Sequence, residues 1–330
     1  MRAPEYVRAR DVSEAVATVS AHPGAHYLAG GTTQLDLVLK DGVVEPEQLV
    51  DITRLPLRGI TRTGGALRVG ALTTMAELAA ERAVGERLPL VREALLAGAS
   101  PQLRNMATIG GNVLQRTRCR YFRDPGVGAC NKRAPGSGCS AVTGAARMHA
   151  ILGASEHCIA VHGSDLCVAL VALDAAVHVR GPAGERRVPL TELYVVPGDR
   201  PDVETVLAHG ELITAIEIPL LPADARSGYL KVRDRASYEF ALTSAAAAVR
   251  IEHGVIAEAR LGLGGVGTIP WRAREAEAVL TGAPATADTF RSAADAAVRD
   301  PFTVPGTAFK VELAKRTIVR MLATLAPERP

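Results

Sequence analysis

The sequence predicts an α+β fold, and three observations carry that expectation. Helical and strand-like segments alternate along the N-terminal part, and periodicity vanishes between Asn112 and Gly144. Beyond Ser227 come antiparallel-strand patterns and then helices. A length of 330 residues suggests roughly two domains of about 150 residues each.

Asp11, with Glu14 three residues on, starts a helix whose Val12, Ala15, Val16 and Val19 keep helical spacing up to Pro23. His26–Ala29 reads as a strand stopped by Gly30 and Gly31, and 34–40 as a short helix ending near Gly42. Leu49–Ile52 is a strand, and Leu67–Gly70 after Gly64 and Gly65 is half of a hairpin. Thr74 and Glu77 open one helix, and a second covers Leu88–Leu96.

The 112–144 window is filled with Arg, Lys, Gly, Pro and Cys, and irregular segments of this length in compact proteins are usually functional or disordered. Cys167–Val179 and Arg187–Leu193 then read as strand and turn, and Leu212–Ile218 as a strand closed by Pro219. A domain boundary fits 220–227. Tyr229–Arg233, Ala241–Arg250 and Val255–Leu263 follow as a small antiparallel sheet, with helices over Ala273–Leu280, Ala287–Val298 and Val311–Leu325. No internal repeat is visible.

Composition excludes several classes. Hydrophobic residues at 48% and charged residues at 22% exclude a disordered chain. Lys and Arg number 38 against 35 Asp and Glu, with no long block of like charge, so nothing argues for nucleic acid. No apolar stretch is long enough to span a membrane, and the N-terminus has no apolar signal-peptide core, which favours the cytoplasm. There thiols stay reduced, and five cysteines, an odd number, do not form a disulfide framework.

Two glycine turns can hold a ligand. Gly30 and Gly31 sit where a strand gives way to a helix, beside Thr32 and Thr33, and Gly110 and Gly111 follow Thr108. Backbone N–H groups in such turns converge on phosphate, and an ordinary strand-to-helix turn is the alternative. Together the turns could clamp a dinucleotide from both sides. Gly262, Gly264 and Gly267 fit G-x-G-x-x-G, but no helix follows directly, so a nicotinamide site is not expected there. Cys119, Cys130, Cys139 and Cys158 are separated by ten, eight and eighteen residues. That spacing lacks the close pairs of zinc and ferredoxin motifs, yet three of these cysteines sit in a basic loop. A four-thiolate site of undecided metal is favoured over unrelated cysteines. Cys167 has the apolar flanks of a core residue, and His157 reads as solvated rather than as a ligand.

The stretches Ala29–Thr32, 102–112, Ser164–Leu166 and Ile216–Pro219 together resemble the FAD-binding subunit of xanthine dehydrogenase-type molybdenum hydroxylases, across essentially the whole chain. The 115–124 run, with Cys130–Arg133 and Cys139, is most similar to the bacterial periplasmic aldehyde oxidoreductase branch, whose FAD subunit carries a [4Fe-4S] cluster in an inserted loop. The resemblance implies a vanillyl-alcohol-oxidase (PCMH)-type FAD-binding domain over 1–222, made of two α/β subdomains (about 1–55 and 56–222) with a cluster loop at 113–158. A CO-dehydrogenase-flavoprotein-like α+β domain over 223–330 follows. It also implies FAD contacts from Tyr27, Leu28, Ala29, Gly30, Gly31, Thr32, Thr33 and Gln34 on the pyrophosphate side. Arg104, Thr108, Gly110, Gly111, Asn112, Asp165, Ile213 and Lys231 complete the set, with Lys231 near the isoalloxazine ring.

Cys119, Cys130, Cys139 and Cys158 match the family's cluster ligands. The implied function is electron transfer in a heteromeric enzyme: from a molybdenum-cofactor large subunit, through a [2Fe-2S] small subunit, to this chain and an external electron acceptor. Export to the periplasm with a partner bearing a twin-arginine signal is then as open as a cytoplasmic site. Two rival readings stand beside it, a free-standing flavin oxidoreductase with its own substrate and a metal-stapled scaffold.

Overall fold

Three separate sheets organise the chain in a computed structural model, which describes residues 3–326. The first is parallel, in order β1-β3-β2, from β1 (Glu5–Arg8), β2 (Ala25–Leu28) and β3 (Gln48–Asp51). The helix Val12–Ala21 connects β1 to β2 and buries Ala15, Val16 and Val19. Its cap is the expected one, with Asp11 Oδ1 accepting from the Glu14 N–H at 2.8 Å. The helix expected over 34–40 is only one wide turn, Asp36–Lys40. So short a segment cannot sustain a helix alone, and Arg123 pins Asp36 at 2.7 Å and Asp41 at 2.6 Å.

The second sheet has the order β4-β5-β8-β6-β7 and is antiparallel throughout. Its strands are β4 (Ile60–Thr63), β5 (Ala66–Gly70), β6 (Ala176–Gly181), β7 (Gly184–Pro189) and β8 (Leu212–Pro219). A full capping box at Thr74 and Glu77 opens the helix Met75–Ala80, and a second helix covers Pro89–Ala97.

One assignment changes. The front of the apolar run Cys167–Val179 is helical, Asp165–Ala172, and only its end is strand. Ser164 caps this helix, its Oγ accepting from the Cys167 N–H at 3.0 Å. The chain then reverses at Asp174, which holds a left-handed φ of 53°. All its residues from Leu166 to Ala172 are buried, so no apolar stripe exists to reveal the period.

The third sheet, β12-β11-β10-β9, is antiparallel and comprises β9 (Arg226–Val232), β10 (Thr243–Glu252), β11 (Val255–Gly264) and β12 (Trp271–Arg272). β10 is buried on both faces. Ala246 and Ala248 join the central core, and Ala245, Ala247 and Val249 join the C-terminal one beneath the helix Phe309–Leu325. A Cβ on Gly262 would fall on the Val168 carbonyl, and one on Gly264 would strike the Val168 side chain. These glycines therefore let the helix Asp165–Ala172 lie close on β11, and no phosphate-binding helix follows them. Among the described residues, no helix is long and apolar enough to cross a membrane.

Candidate functional site

Two cavities meet where the three sheets converge. One of about 260 Å³ runs along the end of β2 and is lined by Tyr27, Ala29, Gly30, Gly31, Thr32, Thr33 and Gln34, with Thr108, Gly110, Gly111 and Ile213 opposite. The other, about 510 Å³, takes Thr32, Thr33 and Gly111 as shared wall and adds Asn112, Asp165 and Lys231. Of the sequence-predicted cofactor residues, only Leu28 and Arg104 line neither. Leu28 is committed to the ladder, paired with Asp51.

The glycine turns are required by close approach. A Cβ on Gly30 would fall on the Met106 carbonyl oxygen, and one on Gly110 would lie 2.9 Å from the Ala71 Cβ. Gly31 holds φ 72°, the left-handed region that favours glycine. Thr108 Oγ1 accepts from the Gly111 N–H at 3.3 Å, so the second turn is capped and fixed in place.

At the far end, Lys231 donates to Asp165 Oδ2 at 2.8 Å and to the Ala97 carbonyl at 3.1 Å. The two side chains are 5% and 10% exposed, so a full ion pair stands in a low-dielectric wall. The Tyr229 hydroxyl donates to the other carboxylate oxygen, and burial together with that charge holds the phenol protonated far above its ordinary range. Asn112 Oδ1 accepts from Ser164 Oγ at 2.5 Å, tying the second glycine turn to the cap of the helix that carries Asp165.

Arg104 acts from behind the wall. Its Nη1 donates to the carbonyls of Gly98 at 2.9 Å and Ala99 at 3.4 Å. Ala99 lines the larger cavity with φ 54°, a conformation costly for alanine, and Arg104 braces it.

Sequence reasoning missed Asp36, Arg118, Arg123, Tyr229, Tyr238 and Phe240. Arg118 donates to Thr33 Oγ1 at 3.0 Å, lies 3.4 Å from Asp36, and stands 5.3 Å from the Phe240 ring centroid. Burial, with Arg123 adding repulsion, pulls its guanidinium down to about 10. These groups come from three distant segments, and no local spacing links them.

The basic loop brings its four cysteines into one neighbourhood. Cys130 and Cys139 face each other in an antiparallel bridge, and Cys158 pairs with Ser155. All are free thiols. Burial pushes Cys119 up to about 12, opposed by the N–H groups of Phe122 and Tyr121, with Cys130 and Cys158 adding repulsion. Burial likewise raises Cys158, while Lys132 and the Ala160 N–H oppose it and Cys139 and Cys130 add to it. Among the described residues, no three His, Cys, Asp or Glu side chains converge as tightly as a single metal ion demands. Cys167 is fully buried with its sulfur 3.1 Å from the Tyr194 hydroxyl, and the His157 ring is exposed.

Residues 2–221 match the family described as FAD binding domain in molybdopterin dehydrogenase, and residues 228–325 match the CO dehydrogenase flavoprotein C-terminal domain. The chain is 45% identical over 326 residues to the aldehyde oxidoreductase FAD-binding subunit PaoB of Escherichia coli (strain K12), covering 98% of each chain. It is 30% identical to the 6-hydroxypseudooxynicotine dehydrogenase complex subunit alpha of Paenarthrobacter nicotinovorans, over 97% of this chain and 93% of that one. Among solved structures it resembles carbon monoxide dehydrogenase from Hydrogenophaga pseudoflava, with a TM-score of 0.77, 27% identity and 98% of each chain covered.

Proposed function

This chain belongs to the FAD-binding subunits of molybdopterin dehydrogenases, and from that premise we propose that it is the FAD- and [4Fe-4S]-bearing electron-transfer subunit of an aldehyde oxidoreductase-type complex. In this reading a molybdenum-cofactor large subunit and a [2Fe-2S] small subunit are its partners, and it delivers electrons to an external acceptor. Residues 1–222 form the FAD-binding domain, with subdomains at about 1–55 and 56–222, and residues 223–330 the C-terminal domain.

The observation that carries the reading is the joined pair of cavities, with a glycine turn at the narrow part and a buried lysine at the far end. Bound FAD supplies redox chemistry that accepts one or two electrons. The rest falls to side chains and main chain of this protein. The turn at Gly30–Gly31 offers N–H groups to a bisphosphate, with the Thr32 and Thr33 hydroxyls beside it, while the Gly110 and Gly111 N–H groups are spent on the Ala71 carbonyl and Thr108 Oγ1 and fix the facing wall. Lys231 keeps a fixed positive charge in the cavity wall, and Asp165 and the Ala97 carbonyl hold its ammonium in one direction. Such a charge favours an anionic ring over a neutral one.

The cysteine loop fits a cluster by the chemistry of its donor set. Four free thiols are gathered in one loop, Cys130 facing Cys139, and main-chain N–H groups at Cys119 and Lys132 near Cys158 partly offset the burial that holds those two thiols protonated without iron. A cubane interposes its own iron and sulfide between its ligands, so four thiolates need not approach as closely as around one ion. Cys119, Cys130, Cys139 and Cys158 would hold it.

Anaerobic purification of the complex, with flavin, iron and molybdenum analysis, tests the proposal. Flavin, about four extra iron atoms on this chain and two unlike co-eluting chains are expected. A lone active flavoprotein, or a chain without flavin bands, overturns it. Cys119→Ser and Cys139→Ser are expected to remove the [4Fe-4S] signal and leave flavin in place.

A further inference from the structure

Outside the cofactor cavities, Lys310 is the group the fold explains least. It lies in the first turn of the helix Phe309–Leu325, is fully buried, and meets no carboxylate among the described residues. Its ammonium donates to two main-chain carbonyls, His149 at 2.8 Å and Gly265 at 2.6 Å. A buried cation held by carbonyl dipoles alone is costly, and burial pulls this one down to about 7. Such a charge is better placed if an anion is built nearby.

His149 supplies the link. It is 3% exposed, and its Nε2 lies 3.2 Å from the Cys119 sulfur. A cysteine sulfur that ligates iron carries no proton. With iron bound, the hydrogen in the 3.2 Å contact is therefore the one on His149 Nε2, and Cys119 accepts it. A thiolate fills that role well and a thiol poorly.

We propose that His149 donates an N–H···S hydrogen bond to the Cys119 thiolate of the iron–sulfur cluster, that Lys310 fixes this donor by gripping the His149 carbonyl, and that the pair raises the cluster's reduction potential. The inference rests on the cluster reading above. Reduction adds negative charge to a cluster that is already anionic. A hydrogen bond to a ligand sulfur and a buried cation behind it both favour the reduced state. His149 and Lys310 are positioning residues here, acting through Cys119.

Redox titration of the assembled complex, followed by the electron paramagnetic resonance of each cluster, separates the possibilities. His149→Phe removes the donor and keeps a ring, His149→Gln keeps an N–H, and Lys310→Met removes the charge. In the Phe and Met variants the reduced-to-oxidised ratio at fixed potential is expected to fall about tenfold, ~59 mV for a one-electron couple. The Gln variant is expected to fall less than the Phe variant. If the Phe variant fails to take up iron, the Gln and Met variants still carry the measurement. A purely structural role would change iron content and Tm and leave the potential where it was, which overturns the assignment. Iron analysis of the unmodified complex comes first: a chain without the cluster overturns the cluster reading itself.

Discussion

The cofactor cavities and the cysteine loop lie side by side, yet they are built from different materials. The cavities are walled by strand ends, capped helices and glycine turns whose backbone is fixed by the sheets. The loop has only short main-chain turns, such as the Asn131 N–H on the Gly138 carbonyl at 2.7 Å, and is held together by side chains reaching to main chain. Arg133 donates to the carbonyls of Tyr121 at 2.9 Å, Phe122 at 2.8 Å and Asp124 at 3.0 Å, and to Val127. Asn131 braces the Cys130–Cys139 bridge, its Oδ1 accepting from the Gly138 N–H at 2.8 Å. Preorganisation in the first region comes from cooperative secondary structure. In the second it comes from a few polar contacts, each worth about 1 kcal/mol net. The second region should therefore depend more on whatever it binds.

The largest test of this contrast is Lys231→Met. It leaves Asp165 charged and buried, so denaturant unfolding is expected to show a loss of about 3–5 kcal/mol, with flavin lost as well. Recovery of stability, but not of flavin, in Lys231→Met/Asp165→Leu would sharpen the division between wall and site. Gly30→Ala comes next. The new Cβ meets main chain rather than a flexible side chain, so a loss of about 1–3 kcal/mol and weaker FAD binding in a fluorescence titration are expected. Arg133→Ala is expected to open the loop by about 1.5 kcal/mol in hydrogen exchange over 121–139 while flavin content stays unchanged. If exchange instead rose equally across β2 and β5, the two regions would be one cooperative unit. Smallest is Thr108→Ala, which removes the cap over Gly111 and is expected to cost about 1 kcal/mol in thermal unfolding.

Much of this architecture was legible in the chain, and what was not has identifiable causes. Asp11 and Thr74 announce their helices because capping is a local interaction. The two glycine turns are visible because each sits at a strand or helix end. The helix Asp165–Ala172 was hidden because a segment buried all round shows no stripe. Asp36, Arg118, Arg123 and Phe240 were invisible because only the tertiary fold assembles them. Arg104 stands in the expected neighbourhood with its Nη1 on the Gly98 and Ala99 carbonyls, an arrangement that sequence order does not reveal.

The alanine strand β10 has a consequence for anyone recombining such subunits. Its two faces belong to different cores, so the seam between the FAD-binding part and the C-terminal part runs through a strand rather than along a linker. A C-terminal module grafted from a relative would replace the part of the recipient's central core made by Tyr229, Ala246 and Ala248. Such chimeras should succeed only when the donor strand carries side chains as small as those of Ala246 and Ala248, or when the helices Pro89–Ala97 and Asp165–Ala172 are transplanted along with it.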